Sequence, residues 1–165
     1  MTKVAERLAA GFALMGGVLL IAIMIVTSIN VSAFGLDRLA RQFGSNVAAL
    51  PGYEDFVRLA ISSAALMFLP YCQFRRGHVA VDLFVSRLPE RFRQSLDRLW
   101  LLAIVLLALF LAYWMLQGML ETQADNALSP VLSWPEWPFY LPGILSLLLW
   151  ALVALVQAAS GEEGV

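Results

Sequence analysis

LAAGFALMGGVLLIAIMIVTSINVSAFGL, residues 8–36, contains no Asp, Glu, Lys or Arg. A helix needs about 20 mostly apolar residues to cross the ~30 Å hydrocarbon core of a bilayer, and this run exceeds that. Three further runs are free of charge: Leu59–Phe74, Leu99–Leu120 and Trp137–Gly161. The last two are long enough unaided. The second reaches span length if its helix begins near Tyr53, which puts Glu54, Asp55 and Arg58 on its first turns at headgroup level. The pattern predicts an all-α integral membrane protein. Its four transmembrane helices fall at about 11–34, 53–74, 98–120 and 138–159, in one membrane domain over residues 1–165.

Composition agrees. The chain is 61% hydrophobic and 14% charged, against about 45–50% and about 25% for soluble domains. A soluble fold of 165 residues has too little interior for so much apolar side chain. A net charge of −1 gives no pull toward nucleic acid. Cys72 is the single cysteine and His78 the single histidine. Together they exclude an internal disulfide, bis-histidine haem ligation and a zinc site built from Cys and His alone.

Lys3 and Arg7 precede the first run, which also invites a signal-peptide reading. The run is too long for that, and no small-x-small cleavage site ends it, so a retained helix is expected. Basic residues set the orientation. Arg75, Arg76, Arg87, Arg91, Arg93 and Arg98 crowd the segment between helices two and three, whereas only Arg38 and Arg41 lie between one and two. Between helices three and four there is none. Both termini are therefore expected in the cytoplasm. Ala9, Ala13 and Gly17 form a small-xxx-small ridge on helix one, suited to close approach of another helix.

The connections carry the remaining signals. Asp37–Arg41 is expected to make a short surface turn, and Pro51-Gly52 to end the loop before helix two. Glu54 and Asp55 suit the positive end of that helix, and Glu54 is spaced to pair with Arg58. In RRGHVAVDLFVSRLP, residues 75–89, Val81, Phe84, Val85 and Leu88 share one helical face. That pattern predicts a short amphipathic helix over about 78–88 lying in the interface plane. Gly77 separates it from helix two, and Pro89 suits the start of helix three, which would run to about Glu121. His78 and Asp82 are one turn apart, as an interfacial hydrogen bond, a pH-responsive pair or half a metal site. The arginines serve topology, phospholipid headgroups or both. Trp134 and Trp137, before the last span, read as an aromatic belt or a docking surface.

The centres of the spans hold no ionisable residue, where proton relays and ion pathways usually place one. Pro70 is positioned to kink helix two but has no counterpart in a second half, so inverted repeats are not indicated. No catalytic constellation and no cofactor or metal site is legible. The chain reads as a non-catalytic subunit beside something larger.

At residues 75–89 the sequence resembles the small membrane subunit, DctQ type, of tripartite ATP-independent periplasmic (TRAP) transporters. Arg76, Gly77, His78, Val79, Val81, Asp82, Leu88 and Pro89 carry the motif, Glu54 stands for the family's acidic residue at the start of span two, and residues 134–143 add a similar Trp/Pro-rich stretch. The sequence departs from the family at Asn30-Val31, where an Arg-Tyr pair is common, in a longer loop over 35–52, and in a tail without basic residues. The resemblance implies a scaffold in the bacterial inner membrane. It would hold a larger subunit that binds sodium and an organic acid or similar solute and moves by an elevator motion. A periplasmic substrate-binding protein would dock on the outer face, near Arg38, Arg41, Trp134 and Trp137. The alternatives are a self-sufficient homo-oligomeric transporter and an anchor of an unrelated complex.

Overall fold

The computed structural model describes residues 2–75 and 90–160. Four helices in it are long and apolar enough to cross a membrane. The first, α1, spans Thr2–Ala40 and ends in a 3-10 turn over Arg41–Phe43. The second crossing is broken into α2, Tyr53–Leu66, and α3, Leu69–Phe74. Then come α4, Glu90–Ala124, and α5, Leu141–Ser160, which a 3-10 turn over Trp137–Tyr140 introduces. Helix three was expected to start near Pro89, and α4 begins at Glu90.

The surface turn expected over 37–41 is instead the last turn of α1. Asp37 and Arg41 do not stop the helix, because at i, i+4 they pair along it, with Nε donating to Oδ2 at 2.8 Å. What ends the helix is Gly44, whose left-handed φ of 73° lets its N–H return to the Arg41 carbonyl. With 39 residues, α1 is roughly 58 Å long at 1.5 Å per residue. It outruns the bilayer core.

The helices form an open row. α1 lies on α2 and α3, α3 lies on α5, and α5 lies on α4. α5 is the hub: 44% of its apolar window is buried, against 17% for those of α1 and α4 on the flanks. The main core sits where Ile104, Ala108 and Ala112 of α4 meet Leu147, Trp150, Ala151 and Ala154 of α5. Alanines at one-turn spacing let these two backbones come close. A second cluster joins Ala9 of α1 to Leu149 and Val153 of α5, with Tyr71 and Phe74 of α3 against it.

The break between α2 and α3 follows from Pro70. Proline has no N–H, so the carbonyl four residues back, Leu66, loses its helical donor. Ser146 of α5 supplies a replacement: its buried hydroxyl donates to the Leu66 carbonyl at 2.8 Å. The kink is thus locked to the hub helix. Ser146→Ala is expected to cost about 1–3 kcal/mol, the scale of a buried carbonyl left without a donor. Thermal unfolding of the detergent-solubilised protein, read by size-exclusion chromatography after heating, measures it.

A candidate docking surface where the loops meet

Both loops opposite the termini lie at one end of the row, beside the start of α2. The segment 125–136 is a small hairpin. An antiparallel bridge joins Leu128 and Pro135, and Ser129 receives its own closure from Trp134, whose carbonyl accepts the Ser129 N–H at 2.8 Å. Asn126 and Ser133 hold the left-handed backbone that the tight ends require.

Asp55 fastens this hairpin to the membrane helices. Its Oδ2 accepts the N–H groups of Val131 at 2.8 Å and Leu132 at 2.9 Å, and the residue is buried. Leu132 lies directly over Gly52. A Cβ at Gly52 would stand 2.5 Å from Leu132 Cγ, and φ is 77° there, so glycine is required on both counts. Beside this clasp, Arg58 pairs with Glu136 across the gap to the hairpin, and the Ser63 hydroxyl donates to the Phe139 carbonyl. The local pair expected between Glu54 and Arg58 is not the one formed: Glu54 is exposed and accepts from the Tyr53 hydroxyl at 3.1 Å.

The longer loop, 44–52, is pinned at two points on α1. Asp37 Oδ1 accepts the Val47 N–H at 3.0 Å, and Asn30 Oδ1 accepts the Leu50 N–H at 2.9 Å. Asn30 is fully buried, so a polar residue at the end of the first span is used as a loop anchor. Its Nδ2 is the buried polar side-chain atom without a hydrogen-bond partner among the described residues.

These anchors present a fixed surface. Arg38 is exposed on the last turn of α1 and Arg41 on the 3-10 turn that follows it, where Phe43 is 85% exposed. Trp134 is exposed on the hairpin, stacked on Phe139 with ring centroids 6.3 Å apart; Trp137 is half-buried on the 3-10 turn. Between α2 and the 3-10 turn lies a cleft of about 220 Å³, lined by Arg58, Leu59, Ser62, Met115, Glu136 and Tyr140 among others.

At the opposite end, Gln73 and Gln157 exchange hydrogen bonds, and Trp150 Nε1 donates to Gln73 Oε1 at 3.3 Å. Arg75 lies over the Tyr71 ring, 5.5 Å from its centroid, and donates to its hydroxyl. That hydroxyl raises the arginine's already high pKa. Arg76, Gly77, His78, Val79, Val81, Asp82, Arg87, Leu88 and Pro89, and the interfacial helix expected over 78–88, lie outside the described residues. Arg91 and Arg93 fall on the first turns of α4.

On α1 the buried positions are Ala9, Gly16, Ile23 and Asn30, seven residues apart. The expected ridge shares only Ala9 with this seam. Ala13 is half-buried, and among the described residues nothing outside its own helix comes within 4 Å of a Cβ placed on Gly17.

The fold is thus a row of four apolar helices with one end sealed by tied loops. Among the described residues no group of three or more His, Cys, Asp or Glu is placed to hold a metal. This defines a membrane-spanning component whose polar side chains fasten loops and kinks. The chain belongs to the DctQ component family of tripartite ATP-independent periplasmic transporters, whose model matches residues 33–163. It is a small component of such a transporter. No curated protein and no solved structure matches the chain.

Proposed function

We propose that this chain is the static scaffold subunit of a sodium-driven TRAP transporter in the bacterial inner membrane, with both termini in the cytoplasm. The observation that carries this reading is the family match over residues 33–163. The open row supports it, since α1 and α4 leave broad apolar flanks uncovered within the chain. A larger membrane subunit that binds sodium and the solute would cover part of these flanks, with the Ala13–Gly17 stretch of α1 among its contacts. The segment 78–88, with Arg75, Arg87, Arg91 and Arg93, would rest on phospholipid. The solute would be an organic acid or similar compound, handed over by a periplasmic binding protein. This chain's own residues catalyse nothing in that scheme; they fix the platform against which the larger subunit moves.

Co-purification tests it. Tagged protein expressed with its neighbouring genes and extracted in mild detergent is expected to elute with a polytopic partner in stoichiometric amount. Elution as a stable homo-oligomer that alone transports solute in proteoliposomes would overturn the scaffold reading. The docking surface has its own test. Combined Arg38→Glu and Arg41→Glu, and separately Trp134→Ala, are expected to lower uptake about tenfold or more, the scale of losing an interface hot spot. The membrane complex should still assemble. Normal uptake in both would place the docking contact elsewhere.

A further inference from the structure

The cleft between α2 and the 3-10 turn has a chemistry that loop fastening does not use. Arg58 and Glu136 line it as an ion pair, and their side chains are 56% and 19% exposed. Arg58 offers five N–H donors and its side chain is more than half exposed, so the bond to Glu136 does not exhaust its donor capacity. The rest of the lining is amphipathic: Ser62 and Tyr140 carry hydroxyls, Leu59 and Met115 are apolar. α2 and α4 each lean on α5, and the cleft is lined from α2, α4 and the 3-10 turn that precedes α5. The neighbouring Trp137 and Tyr140 are the residue types that mark headgroup level.

We propose that this cleft binds the headgroup of a zwitterionic aminophospholipid, with the phosphate on Arg58 and the ammonium on Glu136. Three arguments select that ligand. The volume, about 220 Å³, is below the ~300–1,000 Å³ of sites that enclose a whole small molecule, so it holds a headgroup while the rest lies outside in the bilayer. The lining carries one charge of each sign, which complements a headgroup that also carries one of each. An anionic headgroup would meet Glu136 without an ammonium to offset it. A partly exposed ion pair contributes little by itself, so Arg58 and Glu136 exchange each other for the lipid's two charges at small cost. A primary ammonium also donates hydrogen bonds to the carboxylate, which a choline group cannot. The site is independent of the transport scheme: it needs only the membrane.

Native mass spectrometry of the full chain, released from nanodiscs of equal phosphatidylethanolamine, phosphatidylcholine and phosphatidylglycerol content, reads the retained lipid. The wild type is expected to keep phosphatidylethanolamine over each of the others by about fivefold, the worth of one partly exposed charge pair. Glu136→Gln preserves the hydrogen bond to Arg58 and is expected to shift retention toward phosphatidylglycerol. Arg58→Ala should lower retention of all three. Equal retention by the wild type, or an unchanged preference in Glu136→Gln at unchanged helicity, would overturn the proposal. Ser62→Cys bearing a photoreactive probe gives a second readout inside the assembled complex. A phospholipid adduct supports the site, and an adduct to another protein chain overturns it.

Discussion

Gly16→Leu is expected to drive α1 off the rest of the row. A Cβ at Gly16 would stand 3.0 Å from the Ala64 carbonyl oxygen, 3.0 Å from Met67 Cβ and 3.3 Å from a ring carbon of Phe68. The first is backbone and the second sits on it, so neither can swing aside. Alanine there would need a shift of a few tenths of an ångström; leucine needs the helices to part. Parting them also loosens Ile23 and Asn30 on the same seam, and with Asn30 the bond to Leu50 that pins the long loop. Overpacking of this kind costs about 1–3 kcal/mol in soluble cores, occasionally more, and the lost loop anchor adds to it. The expected result is a lower melting temperature in detergent and a helix α1 open to proteolysis at its loop end. Gly17→Leu is the control. Among the described residues nothing outside its own helix comes within 4 Å of a Cβ at that position, so the isolated protein should keep its stability within about 0.5 kcal/mol. If Gly17 faces the larger subunit, the same variant should lose that partner on co-purification while remaining folded. Equal stability of Gly16→Leu and wild type would mean that α1 does not pack on α2 as described.

The contrast between these two glycines shows what the sequence carries and what it withholds. The four crossings are legible because charge is absent over runs long enough to span a bilayer, a signal that needs no partner residue. The face a helix buries is a different matter. α1 holds Ala9, Ala10, Gly11, Ala13, Gly16 and Gly17 within a few turns, so small residues occur on every side and spacing alone cannot select the seam. The seam is set by where α2 bends at Pro70 and by Asn30 reaching Leu50, both tertiary facts. The Arg58–Glu136 pair joins residues 78 apart in sequence, beyond any local rule, while the nearer Glu54 was a plausible partner by spacing. The hairpin over 125–136 is not legible in the sequence for a related reason. It has no alternation of apolar and polar residues, and its form comes from hydrogen bonds to Asp55 and Ser129. α1 runs on through Asp37 because its i, i+4 pair with Arg41 extends the helix, and Gly44 is the residue that marks its end.

Asp55→Ala is expected to release the outer hairpin without dismantling the helices. The buried carboxylate holds the N–H groups of Val131 and Leu132, and both bonds are short and charge-assisted. Its removal leaves two backbone donors at the hairpin tip to find water. A hydrogen bond to a charged group contributes about 1.5–3 kcal/mol, so the local loss for the two bonds is about 3–6 kcal/mol. That is enough to open a ten-residue tip, but it falls at the edge of the molecule. The α4–α5 core, with Ala108, Ala112, Leu147 and Ala154, touches none of it. The variant should therefore remain helical and still assemble with its membrane partner, yet be cut by protease within 127–136. Trp134 would lose its fixed place, since the stack on Phe139 relies on the hairpin being tied down. If the tied loops are the docking surface, uptake should fall at least as far as in Trp134→Ala. Asp55→Asn keeps an acceptor oxygen without the charge and should lie between the two. Glu54→Ala supplies the opposing outcome: exposed and bonded only to the adjacent Tyr53 hydroxyl, it should leave protease resistance unchanged. Loss of uptake in Glu54→Ala, with Asp55→Ala normal, would transfer the docking role from the fastened hairpin to the exposed acid beside it.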